Sequence, residues 1–156
     1  MHETSIGASD DWYTPPYIFT ELGIDFDLDP CSPGSTHWVP ALNIMTKADD
    51  GLALPWFGCV FMNPPFGGRN GHVPWLQKFI THGNGIAIVR AYTSAGWFHE
   101  HATKAHAMLF PKGKTKFVRP GGSVGKAPGH GVVLLAMGGK AKNALRRSGL
   151  GLYIEL

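Results

Sequence analysis

Two cysteines, Cys31 and Cys59, are all that a chain of 156 residues contains. That is too few for a disulfide scaffold and suits a reducing cytosol. A chain of this length also buries enough core to need no covalent or metal staple. Long apolar runs are missing as well. None approaches the ~20 residues of a membrane span, and the first stretch lacks the basic-then-apolar pattern of a secretory signal. There is no repeat at the ~20–50-residue period of solenoids and no heptad run. The eight histidines (positions 2, 37, 72, 82, 99, 101, 106 and 130) form no compact ligand motif with cysteine. His99 and His101 are poorly spaced for one helical face, so no metal site is expected.

What the chain has in excess is glycine (21) and proline (12), about a fifth of its residues, against about 12% on average. Many loops and tight turns follow, while 44% hydrophobic and 12% aromatic content excludes disorder. The size fits one domain. Residues 1–11 are small and polar and read as a flexible N-terminus, leaving a single domain over 12–156. The net charge of +3 is compatible with a polyanionic partner without requiring one.

The first clear element is Thr14-Pro15-Pro16 followed by Ile18, Phe19 and Leu22. A threonine N-cap, proline in the first turn and Gly23 beyond the last apolar residue predict a helix over 15–22. Residues 24–29 alternate apolar and acidic and predict a strand stopped by Pro30. Residues 31–55 read as loop. The continuous apolar run at 57–62 predicts a strand buried on both faces. Helical spacing then covers 73–82, with Gly83 and Gly85 ending it, and 86–89 is a second buried strand. A short helix is expected over 97–104, and strands over 107–110, 115–119, 131–137 and 152–155, partly as a meander. Strands that alternate with helices and then follow one another predict an open α/β sheet, mostly parallel, with an antiparallel edge.

Asn63-Pro64-Pro65-Phe66 carries the most chemistry. Two prolines fix the backbone and remove two amide donors, so their carbonyls stand in a rigid extended turn. At the carboxyl end of a buried strand, such a turn sits where open α/β sheets bind ligands. Asn63 Oδ1 and the Pro64 carbonyl can accept both N–H bonds of a planar amino group, with Phe66 stacked on its face. The five tryptophans are candidates for core or pocket wall; Trp12 and Tyr13 are placed to cover a ligand.

The tetrapeptide after a hydrophobic strand resembles the catalytic motif of amino-group methyltransferases that use S-adenosylmethionine. Asp11-Trp12-Tyr13-Thr14-Pro15-Pro16, Phe26-Asp27-Leu28-Asp29-Pro30-Cys31, Asp49-Asp50-Gly51-Leu52 and Phe61-Met62-Asn63-Pro64-Pro65-Phe66 occur in that order. With Val89-Arg90-Ala91-Tyr92-Thr93-Ser94, Trp97-Phe98-His99 and Lys116-Phe117-Val118-Arg119-Pro120, they resemble the small phage-type DNA N6-adenine methyltransferases over roughly 11–137. The resemblance implies a small, truncated, Rossmann-like methyltransferase sheet with no separate target-recognition domain. It implies transfer of a methyl group from S-adenosylmethionine to N6 of an adenine flipped out of double-stranded DNA. The enzyme would be a cytoplasmic monomer or homodimer, acting in the host cytoplasm if phage-encoded, where such enzymes shield DNA from restriction.

Residue by residue, the resemblance puts Asn63, Pro64, Pro65 and Phe66 at the reacting amine. Tyr13, Thr14 and Pro15 would meet the methionine end of the cofactor, Asp29 and Pro30 its ammonium or ribose, and Asp49 or Asp50 its adenine amino group. The usual glycine-rich turn after the first strand is reduced to Gly34 in Cys31-Ser32-Pro33-Gly34-Ser35. Arg69, Lys112, Lys114, Lys116 and Arg119 are the candidate DNA contacts; Lys140 to Arg147 reads as a solvated basic face. Two other readings stay open: a methyltransferase acting on RNA adenine, cytosine N4 or protein glutamine, and a catalytically silent module that binds DNA or cofactor.

Overall fold

Seven strands hydrogen-bond into one sheet in the computed structural model, which describes residues 13–34, 38–65, 71–113, 115–118 and 131–156. The strands are β1 Phe26–Asp29, β2 Ala41–Ile44, β3 Val60–Met62, β4 Gly85–Arg90, β5 Ala107–Pro111, β6 Val132–Met137 and β7 Gly151–Glu155. Their order across the sheet is β2-β1-β3-β4-β6-β5-β7. The helices are α1 Pro16–Leu22, α2 Val73–His82, α3 Gly96–Glu100 and α4 Gly139–Arg147, with a 3-10 turn at Ala102–Lys104.

Period-two alternation sends successive side chains of each central strand to opposite faces. In β4, Ile86 and Ile88 join Phe61, Leu134 and Leu109 under α1 and α4. Ala87 and Val89 join Met62, Leu135 and Met108 under α2 and α3. The sheet is therefore covered on both faces, which is why β3 and β6 are buried along their whole lengths and β4 as far as Val89. Helices α1 and α2 both end on a left-handed glycine, Gly23 at φ 66° and Gly83 at φ 79°, the conformation that closes a helix most cheaply.

Four expectations need correction. The sheet is not mostly parallel: β2-β1, β1-β3 and β3-β4 pair in parallel, but β4-β6, β6-β5 and β5-β7 pair antiparallel. Strand β6 inserts between β4 and β5 instead of continuing a meander. The stretch 31–55 contains β2, whose pairing with β1 (Phe26 opposite Ala41, Leu28 opposite Asn43) creates a strand from four residues that are mostly exposed. Residues 115–118 form no strand; Val118 makes an isolated antiparallel bridge with Tyr13, outside the sheet. Lys140, Arg146 and Arg147 are exposed, as expected of a solvated basic face, and that face belongs to a helix, α4, whose Ala141, Ala144 and Leu145 are buried at helical spacing. Two alanines make a weak apolar stripe, and the basic residues around them hide it.

Burial differs sharply between the two exposed-looking leucines of these unanticipated elements. Leu145 is fully buried, while Leu42 in β2 is 82% exposed. Leu145→Ala is expected to lower stability by about 2–5 kcal/mol, and Leu42→Ala to change it by about 0.5 kcal/mol or less. Urea unfolding of the two variants measures the difference; equal midpoints would show that α4 does not contribute to the core as described.

Candidate active site

The carboxyl ends of β1, β2 and β3 open into a cavity of about 350 Å³, within the ~300–1,000 Å³ range of small-molecule sites. Stretches far apart in sequence wall it. Asp29 to Pro33 end and follow β1, Thr46 to Ala48 with Asp50 and Gly51 follow β2, Asn63 and Pro65 follow β3, Tyr13 and Thr14 precede α1, and Trp38 and Trp75 add rings.

Asp29, the last residue of β1, is 2% exposed. The Cys31 amide donates to its Oδ1 at 3.0 Å. Burial pushes the Asp29 carboxyl up to about 7, and the Cys31 amide offsets only part of that. Burial also pushes the neighbouring Cys31 thiol well above its usual range, helped by the Asp29 charge. Among the described residues, the turn after β1 has no spare backbone amide. Pro30 and Pro33 carry no amide hydrogen, Cys31 donates to Asp29, Ser32 to the Met45 carbonyl and Gly34 to the Ser32 hydroxyl. A phosphate cradle needs free backbone N–H groups at this place. Here they are consumed internally, and the turn presents a buried carboxyl instead.

The stretch after β2 separates its two aspartates. Asp49 Oδ2 accepts the Thr46 amide at 2.9 Å and the Thr46 hydroxyl at 3.2 Å, closing the turn, and does not line the cavity. Asp50 does line it, from a left-handed backbone at φ 59°, the one positive φ recorded for a non-glycine residue among the described residues. Such a conformation is costly for most residues and tolerable for aspartate. Gly51 follows in close contact: a Cβ there would lie 2.3 Å from the Pro30 carbonyl oxygen and 3.0 Å from the Trp75 ring.

On the β3 side, Asn63 Nδ2 donates to Thr14 Oγ1 at 3.0 Å, across 49 residues of sequence. This fixes the amide plane and makes Oδ1 its acceptor end. Thr14 therefore does not cap α1 as its sequence position predicts. The chain stays extended through Pro15, which occupies the cap position without a side-chain bond, and the Thr14 hydroxyl turns to Asn63 instead. Trp38 Nε1 donates to the Thr14 carbonyl at 2.8 Å, and the Trp38 ring meets Tyr13 edge-on at 5.2 Å. Pro64 is buried beside the cavity without lining it, and Pro15 likewise stands behind the wall.

Trp38 and Trp75, two of the tryptophans read as core or pocket wall, line the cavity, as do Thr46 and Lys47, which nothing in the sequence marks. A tryptophan in a wall and one in the core look alike in sequence. Phe66, Arg69, Lys114 and Arg119 lie outside the described residues. Lys112 and Lys116 are exposed. Along the same sheet edge, beyond β4, Arg90 Nη1 donates to the Tyr92 hydroxyl at 3.3 Å, and His72 packs edge-on against Trp97 at 4.2 Å. Burial, together with the charge of Arg90, pulls His72 down to about 4, so it is neutral at physiological pH. Among the described residues there is no group of three potential metal ligands and no helix long and apolar enough to cross a membrane.

The family model described as DNA N-6-adenine-methyltransferase (Dam) matches residues 2–137. No curated protein and no solved structure matches the chain.

Asp29 makes stability depend on pH in a definite direction. Unfolded, it loses its proton near 3.8; folded, it keeps it to about 7. Its contribution is greatest at low pH and is lost as pH rises from about 4 to about 7. His72 acts oppositely over part of that window, because the unfolded imidazole takes up a proton below about 6.5 while the folded one stays neutral to about 4. The two partly cancel in the wild-type profile, so a variant isolates Asp29. Asp29→Asn is expected to gain on the order of 2 kcal/mol relative to wild type between pH 5 and pH 7. Denaturant melts of the ligand-free proteins read this; a pH-independent difference would mean that the carboxyl is solvated.

Proposed function

The chain belongs to the DNA N-6-adenine-methyltransferase (Dam) family, and on that premise we propose that it transfers a methyl group from S-adenosylmethionine to N6 of adenine in DNA. The convergence of Asp29, Asp50 and Asn63 on one cavity carries this reading. The sheet would be a small Rossmann-like methyltransferase sheet, with its ligand site at the carboxyl edge of the parallel half.

The residues fit the cofactor by chemistry. A turn without free amides disfavours phosphate, which argues against a dinucleotide or nucleoside triphosphate. A buried carboxyl favours a ligand with positive charge and hydroxyls, and Asp29 would face the cofactor's ammonium or ribose. Asp50, exposed at the cavity wall, would accept from its adenine amino group, and Thr14 with Tyr13 and Trp38 would border its methionine end. When bound, S-adenosylmethionine supplies a methyl group on a positively charged sulfur.

The protein's task is then to make a weak nucleophile attack. The N6 lone pair of adenine is delocalised into the ring. Asn63 Oδ1 and the Pro64 carbonyl would accept its two hydrogens and favour a tetrahedral nitrogen, which localises the lone pair. As N6 gains positive charge, the same two oxygens stabilise it, and being neutral and fixed they need no reorganisation. Positioning supplies much of the remaining acceleration. A stacked adenine cannot reach this corner, so the base is flipped out, with Phe66 as its new stacking partner.

DNA would approach the carboxyl edge. Lys112 follows β5 on that edge. Lys140 and Lys142, by contrast, follow the end of β6 on the opposite edge and are engaged within the chain, with the Asp25 carbonyl at 3.1 Å and with Glu155 at 3.3 Å.

Asn63→Ala is expected to abolish methylation of adenine in DNA, read by mass spectrometry of nucleosides, while cofactor affinity falls less than about threefold. Full activity in that variant would remove Asn63 from the chemistry, and methylated cytosine or RNA as the product would move the reading to another acceptor. For DNA binding, Lys112→Ala should reduce the slope of log K against log salt by about 1, with Lys140→Ala leaving it unchanged. Equal slopes in the two variants would show that DNA does not lie along the carboxyl edge.

A further inference from the structure

Lys78 lies on α2, outside the cavity, yet its ammonium is almost fully engaged by the turn that carries Asp50. Its Nζ donates to the Gly51 carbonyl at 3.2 Å, to the Leu52 carbonyl at 2.8 Å and to the Leu54 carbonyl, and it stands 5.2 Å from the centre of the Trp56 ring. An ammonium has three hydrogens, and three carbonyls account for all of them. The Trp56 indole donates to the same Gly51 carbonyl at 2.8 Å. The turn itself is closed by the amides of Ala53 and Leu54, which donate to the Asp50 carbonyl at 3.0 and 3.2 Å. Its later carbonyls therefore converge with their negative ends together, the arrangement that a cation at the end of a helical turn stabilises.

We propose that Lys78 is a positioning residue for the cofactor pocket: by gathering the carbonyls of Gly51, Leu52 and Leu54, it holds Asp50 in its left-handed conformation with the carboxylate directed at the adenine amino group of the cofactor. The inference rests on the reading of Asp50 given above. Asp50 at φ 59° occupies a left-handed backbone region that aspartate tolerates at some cost, and contacts around the turn decide whether it stays there. The restraint comes from both sides of the next residue. On one side, Gly51 is pressed against the Pro30 carbonyl and Trp75, with no room for a Cβ. On the other, its carbonyl is held by Lys78 and Trp56. Without the ammonium, three carbonyls repel one another, the turn opens, and Asp50 swings away from the cavity. Because α2 is the helix that follows the Asn63-Pro64-Pro65 turn, the same lysine ties the element next to the reacting amine to the turn that selects the cofactor base.

The test compares S-adenosylhomocysteine with its inosine analogue, in which a 6-oxo group replaces the 6-amino group, by calorimetric titration of wild type, Lys78→Met, Lys78→Arg and Asp50→Asn. Wild type should prefer the adenine ligand by about tenfold or more, since the analogue leaves the Asp50 acceptor facing another acceptor. In Lys78→Met, which keeps the apolar stem over Trp56, that preference should fall to about threefold or less. Lys78→Arg keeps the charge without the three-donor geometry and should be intermediate; it provides the reading if the methionine variant does not fold. Lys78 variants that weaken both ligands equally, or keep the wild-type preference, overturn the inference. Asp50→Asn separates the two claims. If it abolishes the preference while the Lys78 variants retain it, only the role of Lys78 fails; if it too retains the preference, the assignment of Asp50 fails.

Discussion

A carboxyl group at the end of β1 is kept out of water, and much of the site is arranged around that fact. The strand pairs in parallel on both sides, with β2 and β3, so its carboxyl end cannot fray toward solvent. The Asp29 carbonyl is taken by the Met45 amide, and the turn that follows uses up its own donors. Gly51 closes against Pro30 from the neighbouring turn. Each of these contacts removes a place where water could solvate the carboxylate, and the result is a group brought to about 7. A fold selected for stability alone would put an amide or an apolar residue there. Perturbed groups of this kind concentrate at functional sites, which makes Asp29 a candidate to meet a positively charged ligand.

The two halves of the sheet divide the work. The cavity is walled by the ends of the parallel strands β1, β2 and β3 and by the segment before α1. The antiparallel half, β6, β5 and β7, contributes core: the full length of β6 is buried, and α4 packs its small-residue face on that side. Contacts across the site are long in sequence, Thr14 to Asn63 and Lys78 to Gly51 among them. Neither pair is fixed by local structure; both depend on the sheet having formed in the right register.

That distinction also explains what could be read from the chain before its structure. Helix α2 is announced by its apolar spacing, its early proline and Gly83, and the structure places it at Val73–His82 as predicted. Buried strands β4 and β6 declare themselves by continuous apolar runs. The edge strand β2 does not, because its residues are paired by β1 and not by any pattern of their own. Helix α4 is masked by its lysines and arginines. At the site, Asp29, Asp50 and Asn63 are visible as residue types in suggestive places, whereas it takes the structure to show that Asp50 lines the cavity and that Asp49 is bonded to Thr46. The Thr14 hydroxyl shows the same limit: local sequence assigns it to the helix beside it, and tertiary contact gives it to Asn63.

The protonation states around the cavity separate binding from chemistry. An asparagine amide and a proline carbonyl do not titrate, so the acceptors proposed for the adenine amine are the same at every pH near neutrality. His72, close along the sheet edge, is held neutral by burial and by Arg90, and the Cys31 thiol is held protonated by burial and by Asp29. Asp29 is the group brought into the neutral range, and it lines the cavity. A positively charged ligand favours its ionised form, so affinity for such a ligand rises with pH until the free carboxyl is already ionised, above about 7. Acid then acts on binding of such a ligand through Asp29, while the Asn63 amide and the Pro64 carbonyl are left as they were.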